Sequence, residues 1–343
     1  MKPLAKTVAV ACLLLAGPGV RAQEVRERPT FRGYTFPVQK AVLSPDGKLL
    51  ASGCGGPRGG ELKLWDAATG KEVGAFPGYS GSLYVLTFSA DGKRLISGND
   101  RGTVQLWDVV TRKEITTFNA HMDHNQVVAL SPDGKRLAWA GRKDVKLWDV
   151  TGGKELASFR RTVEAWGMAF SPDLTLLASP NYPEVDLWDV AGGKEPRVLS
   201  EHRGAVGCVA FTADSKTLVA ASSWNKGDFR YQGQVKLWDV ATGREKATLK
   251  GDFGYIWALA ISPDSKVLAA VQSRGDLGED GVMEVVDVAC GRKLVSQTWK
   301  AGSVPSLTFR ADGTLFVTAT TGNTIKLWEV TPHGQGKNAG AAR

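Results

Sequence analysis

The sequence predicts an all-β protein built from seven copies of one four-stranded antiparallel unit. Three observations carry this expectation. A Trp-Asp dipeptide recurs through the chain, a Ser-Pro-Asp-Gly-type turn precedes each copy, and short apolar segments bounded by turn residues fill the intervals.

The first marker falls at Leu64-Trp65-Asp66, Trp107-Asp108, Trp148-Asp149, Trp188-Asp189 and Trp238-Asp239, then at a degenerate Val286-Asp287 and a final Trp328-Glu329. Successive steps are 42, 41, 40, 50, 48 and 42 residues. The second marker alternates with it: Ser44-Pro45-Asp46-Gly47, Ser89-Ala90-Asp91-Gly92, Ser131-Pro132-Asp133-Gly134, Ser171-Pro172-Asp173-Leu174, Thr212-Ala213-Asp214-Ser215, Ser262-Pro263-Asp264-Ser265 and Arg310-Ala311-Asp312-Gly313. In such a turn Pro presets φ, Asp bonds the local backbone and Gly closes the reversal, so each joins two antiparallel strands. Before one turn, Val85-Leu86-Thr87-Phe88 reads as a strand buried on both faces. After it come Arg94-Leu95-Ile96-Ser97 and Val104-Gln105-Leu106-Trp107-Asp108. In the preceding unit, the hairpin at Ala68-Thr69-Gly70-Lys71 leads to a fourth strand, Glu72 to Phe76. One such sheet has an apolar middle that it cannot bury alone, so neighbouring units must stack.

These turns and Leu-Trp-Asp endings resemble the WD-repeat (β-transducin-like) family over residues 26–330. The resemblance implies a seven-bladed β-propeller around a central channel. After Trp328-Glu329-Val330 the chain turns polar and Gly-rich. Thr30-Phe31-Arg32-Gly33-Tyr34 matches Ala75-Phe76-Pro77-Gly78-Tyr79, the end of a fourth strand. The N-terminal segment, roughly residues 26–32, is therefore expected to complete blade seven. The tail 331–343 is expected to fray. Many WD repeats carry a His–Ser/Thr–Asp–Trp hydrogen-bond set, with Asp six residues before Trp. Here that position holds Gly59, Arg101, Arg142, Tyr182, Gln232, Asp280 and Gly322. Glycine-histidine dipeptides are replaced, with only Ala120-His121 and Glu201-His202 close. The inter-strand polar network is expected to be incomplete.

Residues 1–22 have the parts of a secretory signal: Lys2 and Lys6, an apolar stretch from Thr7 to Gly17, and a small-residue site at Val20-Arg21-Ala22 before Gln23. Export to the periplasm or beyond is expected, with cleavage after Ala22 and the propeller over residues 23–330. Cys12 as a lipid-attachment site is the alternative. Losing Lys2, Lys6 and Arg21 takes the net charge from +8 to +5, too mild to call for nucleic acid. A mean hydropathy of −0.16 excludes a multi-span membrane protein. With 43% apolar and 23% charged residues, a disordered chain is excluded as well. The mature chain keeps Cys54, Cys208 and Cys290, an odd number, and no disulfide is expected.

Asp-to-Trp separations of 19, 16, 15, 15, 24, 22 and 16 residues locate three insertions: Ser52–Glu61, Ser222–Gln234 and Gln272–Val282. All three join second to third strands and enlarge one face. The second position of each first strand reads Gln39, Tyr84, Gln126, Trp166, Gly207, Trp257 and Pro305. By resemblance this column sits at the channel mouth on that same face. Tyr84, Trp166 and Trp257, with Trp224, Phe229 and Tyr231 of the blade-five insertion, form the candidate recognition surface. The alternative for Trp166 and Trp257 is a cap on inter-blade packing.

Other motifs carry less. His121-Met122-Asp123-His124 lacks further ligands at metal spacing. Arg274-Gly275-Asp276 reads as a turn, and Gly53 to Gly60 as a flexible hairpin tip. Lysines on the opposite rim (Lys48, Lys71, Lys93, Lys135, Lys154, Lys216, Lys266) alternate with acids as a solvated edge. The sequence therefore points to a monomeric, non-catalytic, exported scaffold for a protein or peptide partner, with no cofactor and no metal. An exported propeller hydrolase or lactonase, and a structural subunit of an envelope assembly, are the alternatives.

Overall fold

In the computed structural model the described residues are 25–56, 59–119, 127–140, 144–160, 167–191, 195–227, 231–273, 281–299, 306–310, 312–321 and 323–330. They form seven four-stranded antiparallel sheets. Blade one comprises Val38–Leu43, Leu49–Gly56, Gly59–Asp66 and Glu72–Ala75. Blade two comprises Leu83–Phe88, Arg94–Asn99, Thr103–Asp108 and Glu114–Asn119. Blades three and four follow the same order from Val127 to Arg160 and from Ala169 to Leu199, blades five and six from Ala205 to Phe253 and from Tyr255 to Trp299. Blade seven takes Ser306–Phe309, Leu315–Thr321 and Thr324–Val330, and its fourth strand is Val25–Glu27 from the other end of the chain. The first strands of neighbouring blades contact one another in sequence, and that of blade seven returns to blade one, which closes the ring.

The closure lies where the sequence placed it. Val25, Arg26 and Glu27 pair with Val330, Glu329 and Trp328, and Phe31 bridges to Ile325. Arg28 forms an ion pair with Glu329, and the Phe31 ring is fully buried edge-on to Trp65.

Stacking supplies the core. Trp65 packs with Phe316 and Leu327 of blade seven, Trp107 with Leu62, Leu64 and Phe76 of blade one, and Trp238 with Leu187 and Leu199 of blade four. Val286 stands in the same place against Leu237 and Phe253 of blade five, so the degenerate repeat keeps the contact while losing ring area. Each such Leu or Phe is worth about 1.5–3 kcal/mol of burial, which a lone sheet could not realise.

Both turn types are held by their aspartates. Ser44 Oγ donates to Asp46 Oδ1 (2.6 Å) and accepts the Leu49 N–H (3.0 Å), while Asp46 accepts the Lys48 N–H (3.1 Å). Asp66 accepts both the backbone N–H and the hydroxyl of Thr69 at 2.7 Å. Gly47 takes φ +69° in its turn. Leu174, Ser215 and Ser265 hold the matching position at φ 64°, 60° and 60° without the freedom of glycine.

Among the described residues the polar network is incomplete, as expected, but keeps its tryptophan–serine bonds in three blades. The Trp65, Trp107 and Trp188 indoles donate to Ser52, Ser97 and Ser179 of the second strands at 2.8, 2.8 and 3.2 Å. Tyr34, in the place of the family's histidine, joins this set by bonding Ser52 and accepting from Trp65 at 2.8 Å. In blade five Trp238 Nε1 donates to His202 Nε2 at 3.1 Å.

The glycines from Gly53 to Gly60 are not merely a flexible tip. Strand pairing continues to Gly56↔Gly59, and a Cβ on Gly55 would lie 1.8 Å from the Gly81 carbonyl oxygen. Here glycine permits the close approach of blade two's incoming chain. Cys54 is buried, Cys208 half-buried and Cys290 exposed, each as a thiol.

Candidate functional site

The column at the second position of the first strands has a structural cause. In blade one, pairing runs Val38↔Cys54 and then Lys40↔Gly53, so Gln39 is the extra residue of a β-bulge. Tyr84, Gly207 and Trp257 occupy the same bulge in blades two, five and six. A bulge bends its strand and re-aims the extra side chain, which brings apolar rings out of the packed sheet. Tyr84 is 42% exposed and Trp257 47% exposed.

Trp257 does not stand alone. Its ring lies 4.7 Å from that of Tyr255 at 61°, and Tyr255 lies 5.1 Å from Tyr231 at 81°. Edge-to-face pairs of this kind add about 0.5–1.5 kcal/mol each beyond their burial. The Trp257 indole donates to Ser273 Oγ at 3.3 Å. Beneath it, Gln272 Oε1 accepts the Gly254 N–H (2.5 Å) and Ser223 Oγ the Ile256 N–H (3.2 Å), which pins the connection between blades five and six. The stack is thus carried on strands whose backbone is tethered. Burial, with Cys208 and Tyr231 nearby, raises the Tyr255 hydroxyl above the ordinary tyrosine range.

Trp224 corrects its sequence assignment. It lies in the strand Thr217–Asn225, opposite Gln232, and is half-buried rather than in an open loop. The Arg203 guanidinium sits 4.8 Å from its ring centroid, a cation–π contact. The blade-five insertion is therefore largely a longer hairpin, paired out to Asn225↔Tyr231. Blade six pairs out to Ser273↔Gly281.

The structure brings together Tyr231 and Trp257 through Tyr255, which the column alignment did not reach because it followed a single position per blade. Arg203 and Tyr182 were missed as well. Tyr182 is 59% exposed at the second-to-third-strand end of blade four, on the same face. Tyr84 projects from blade two with no ring contact to this stack. Trp166 and Phe229 lie outside the described residues, as do residues 1–22, Gln126, Pro305, the His121–His124 segment, Arg274–Asp276 and the tail 331–343.

Chemically, the described part of the face offers aromatic surface, hydrogen-bond donors and charges of both signs, among them the Arg203 guanidinium and the exposed Arg101 and Asp100 in the second-to-third-strand turn of blade two. The titratable His202 is turned inward: burial, with Lys236 close by, lowers its pKa from 6.5 to about 4. It is neutral at pH 7 and accepts from Trp238. Among the described residues no three His, Cys, Asp or Glu side chains are grouped to hold a metal.

The family model described as "WD domain, G-beta repeat" matches residues 26–66, 70–108, 193–239 and 292–329. The matched segments run from the outer strand of one blade to the Trp-Asp end of the next, the same offset that closes the ring. No curated protein matches the chain.

Proposed function

We propose, from the premise that this chain is a WD-repeat β-propeller, that it is a non-catalytic scaffold which binds a protein or peptide through the face carrying the three insertions. WD-repeat propellers serve as a rule as protein-interaction scaffolds. The observation that supports this face is the exposed Trp257, turned out by a bulge and backed by Tyr255 and Tyr231. Large aromatics on a rigid support are the residue types that anchor interfaces. The opposite rim offers tight Asp-centred turns beside solvated lysines, such as Lys48 at 3.8 Å from Asp46. We place the scaffold outside the inner membrane, in the periplasm or beyond. The support is the basic start, apolar stretch and small-residue site of residues 1–22.

The test is affinity capture from an envelope extract with the mature protein, comparing wild type with Trp257→Ala, and with Lys93→Ala and Lys135→Ala as controls. Partners retained by the lysine variants and lost by Trp257→Ala support the reading. Partners lost by the lysine variants and retained by Trp257→Ala place binding on the other rim.

A further inference from the structure

Among the described residues, the residue after each bulge occupies a largely apolar slot between adjacent blades. In blades two, five and six it is Val85, Cys208 and Ala258. Val85 is buried among Ile96, Leu106 and Trp139, and Ala258 packs against Val271 and Met283. Cys208 Sγ lies 3.3 Å from the carbonyl oxygen of Trp257, the bulge of the next blade, and burial pushes its thiol up to about 12.

In blade one the same position is Lys40. Ala41 and Leu43 of its strand pack toward blade seven, while Val42 packs toward blade two. Alternation along the strand therefore sets Lys40 on the side of blade two. The bulge there is Tyr84, and Gln39 Oε1 accepts the Leu83 N–H at 2.6 Å, which ties the two inner strands together at that level. Lys40 is half-buried, and desolvation lowers the pKa of its ammonium. Among the described residues it has no ion-pair or hydrogen-bond partner. Two other largely buried lysines among the described residues are paired, Lys236 with Glu245 and Lys63 with Glu61 and Glu72.

An unpaired ammonium in a slot that is apolar in sister blades is destabilising unless an anion meets it. We propose that Lys40 anchors a carboxylate which a ligand of this face delivers into the channel mouth, with an adjacent apolar group of that ligand against Tyr84. A monoanion matches the single charge. A phosphate dianion would leave a second negative charge uncompensated in the same low-dielectric slot. The inference deepens the scaffold reading and rests on the binding face it assigns.

The experiment titrates the full mature protein with three probes by ligand-detected NMR. Acetyl-Trp carries a terminal carboxylate, acetyl-Trp-Asp-amide a side-chain carboxylate, and acetyl-Trp-amide none. At least one acid is expected to bind tenfold or more tightly than the neutral amide, and which acid does so identifies the source of the carboxylate. Lys40→Met, which keeps the stem and restores an apolar slot, should erase that difference and raise the melting temperature. A lower melting temperature in Lys40→Met would mean that the fold itself satisfies the charge, and equal binding of all three probes to wild type would remove the carboxylate; either overturns the proposal. Envelope partners captured by Lys40→Met as by wild type, but lost by Trp257→Ala, would also overturn it while leaving the scaffold reading intact.

Discussion

Acidification from pH 7 to pH 5 should destabilise the propeller by about 2 kcal/mol through His202 alone. Its Nε2 accepts the Trp238 indole N–H at 3.1 Å, so that nitrogen must be unprotonated and a proton there breaks the bond. Burial is the main cause of the lowered pKa. Lys236 adds to it, and Glu245, paired with that lysine, opposes it. The folded value is about 4 against 6.5 for an unperturbed imidazole. Between those values the unfolded chain binds a proton that the folded chain refuses. Stability is fully present above about pH 6.5 and is lost as pH falls toward 4. At pH 5 the unfolded imidazole is almost wholly protonated and the folded one scarcely so, a difference of about 1.5 pH units at 1.36 kcal/mol each. Urea unfolding followed by tryptophan fluorescence at the two pH values, in wild type and in His202→Gln, isolates this contribution. Glutamine keeps an acceptor for Trp238 and does not titrate. The turn aspartates, whose pKa values are lowered by bonds such as Ser89 Oγ to Asp91 and the Lys93 N–H to Asp91, lose their share mainly below about pH 4 in both proteins. Wild type should therefore lose about 2 kcal/mol more than the variant between pH 7 and pH 5. Equal losses would show that His202 takes up protons freely in the folded state and that its burial is misread.

Trp257→Ala should weaken partner binding by about 2 kcal/mol, the scale of an interface anchor, with calorimetry against the captured partner as the check. Trp224→Ala should weaken it similarly, but it also removes a half-buried ring and the Arg203 contact, so affinities must be compared at equal folded fraction. Deleting residues 24–33 strips blade seven of its outer strand and removes the fully buried Phe31, whose loss alone costs about 3–5 kcal/mol; deleting 334–343 should do little, and equal melting temperatures for the two truncations would contradict the closure. Ser97→Ala leaves the buried Trp107 N–H without its acceptor and should cost about 1–3 kcal/mol in urea unfolding. No change there would mean that a water replaces the hydroxyl.

The turns were legible because their chemistry is local: Ser44, Asp46 and the Leu49 N–H bond within six residues, and a hydroxyl and an aspartate recur at the same offsets in most other repeats. The ring closure joins the two ends of the chain, and it was legible because Thr30–Tyr34 repeats the pattern of Ala75–Tyr79. The tryptophan network was not legible, since its partner lies at no constant distance along the chain. Ser52 precedes Trp65 by 13 residues, Ser97 precedes Trp107 by 10, and Ser179 precedes Trp188 by 9. What stays constant is the ladder. Trp65, Trp107 and Trp188 pair with Leu50, Leu95 and Leu177, and the serine is two residues beyond that leucine. In blade five Trp238 pairs with Leu218, and two residues beyond it stands Ala220, which has no acceptor to offer. There His202, which reaches in from the chain linking blade four to blade five, accepts from Trp238 instead. The face proposed to bind was located by its insertions and its column, but its geometry resisted the sequence for the same reason. The column of Gln39, Tyr84, Gly207 and Trp257 could be aligned by position, but the bulge that exposes Tyr84 and Trp257 is a register shift between two strands. The Tyr231–Tyr255–Trp257 stack likewise joins two blades. Lys40 is visible as an exception only once that register has placed it beside Val85, Cys208 and Ala258.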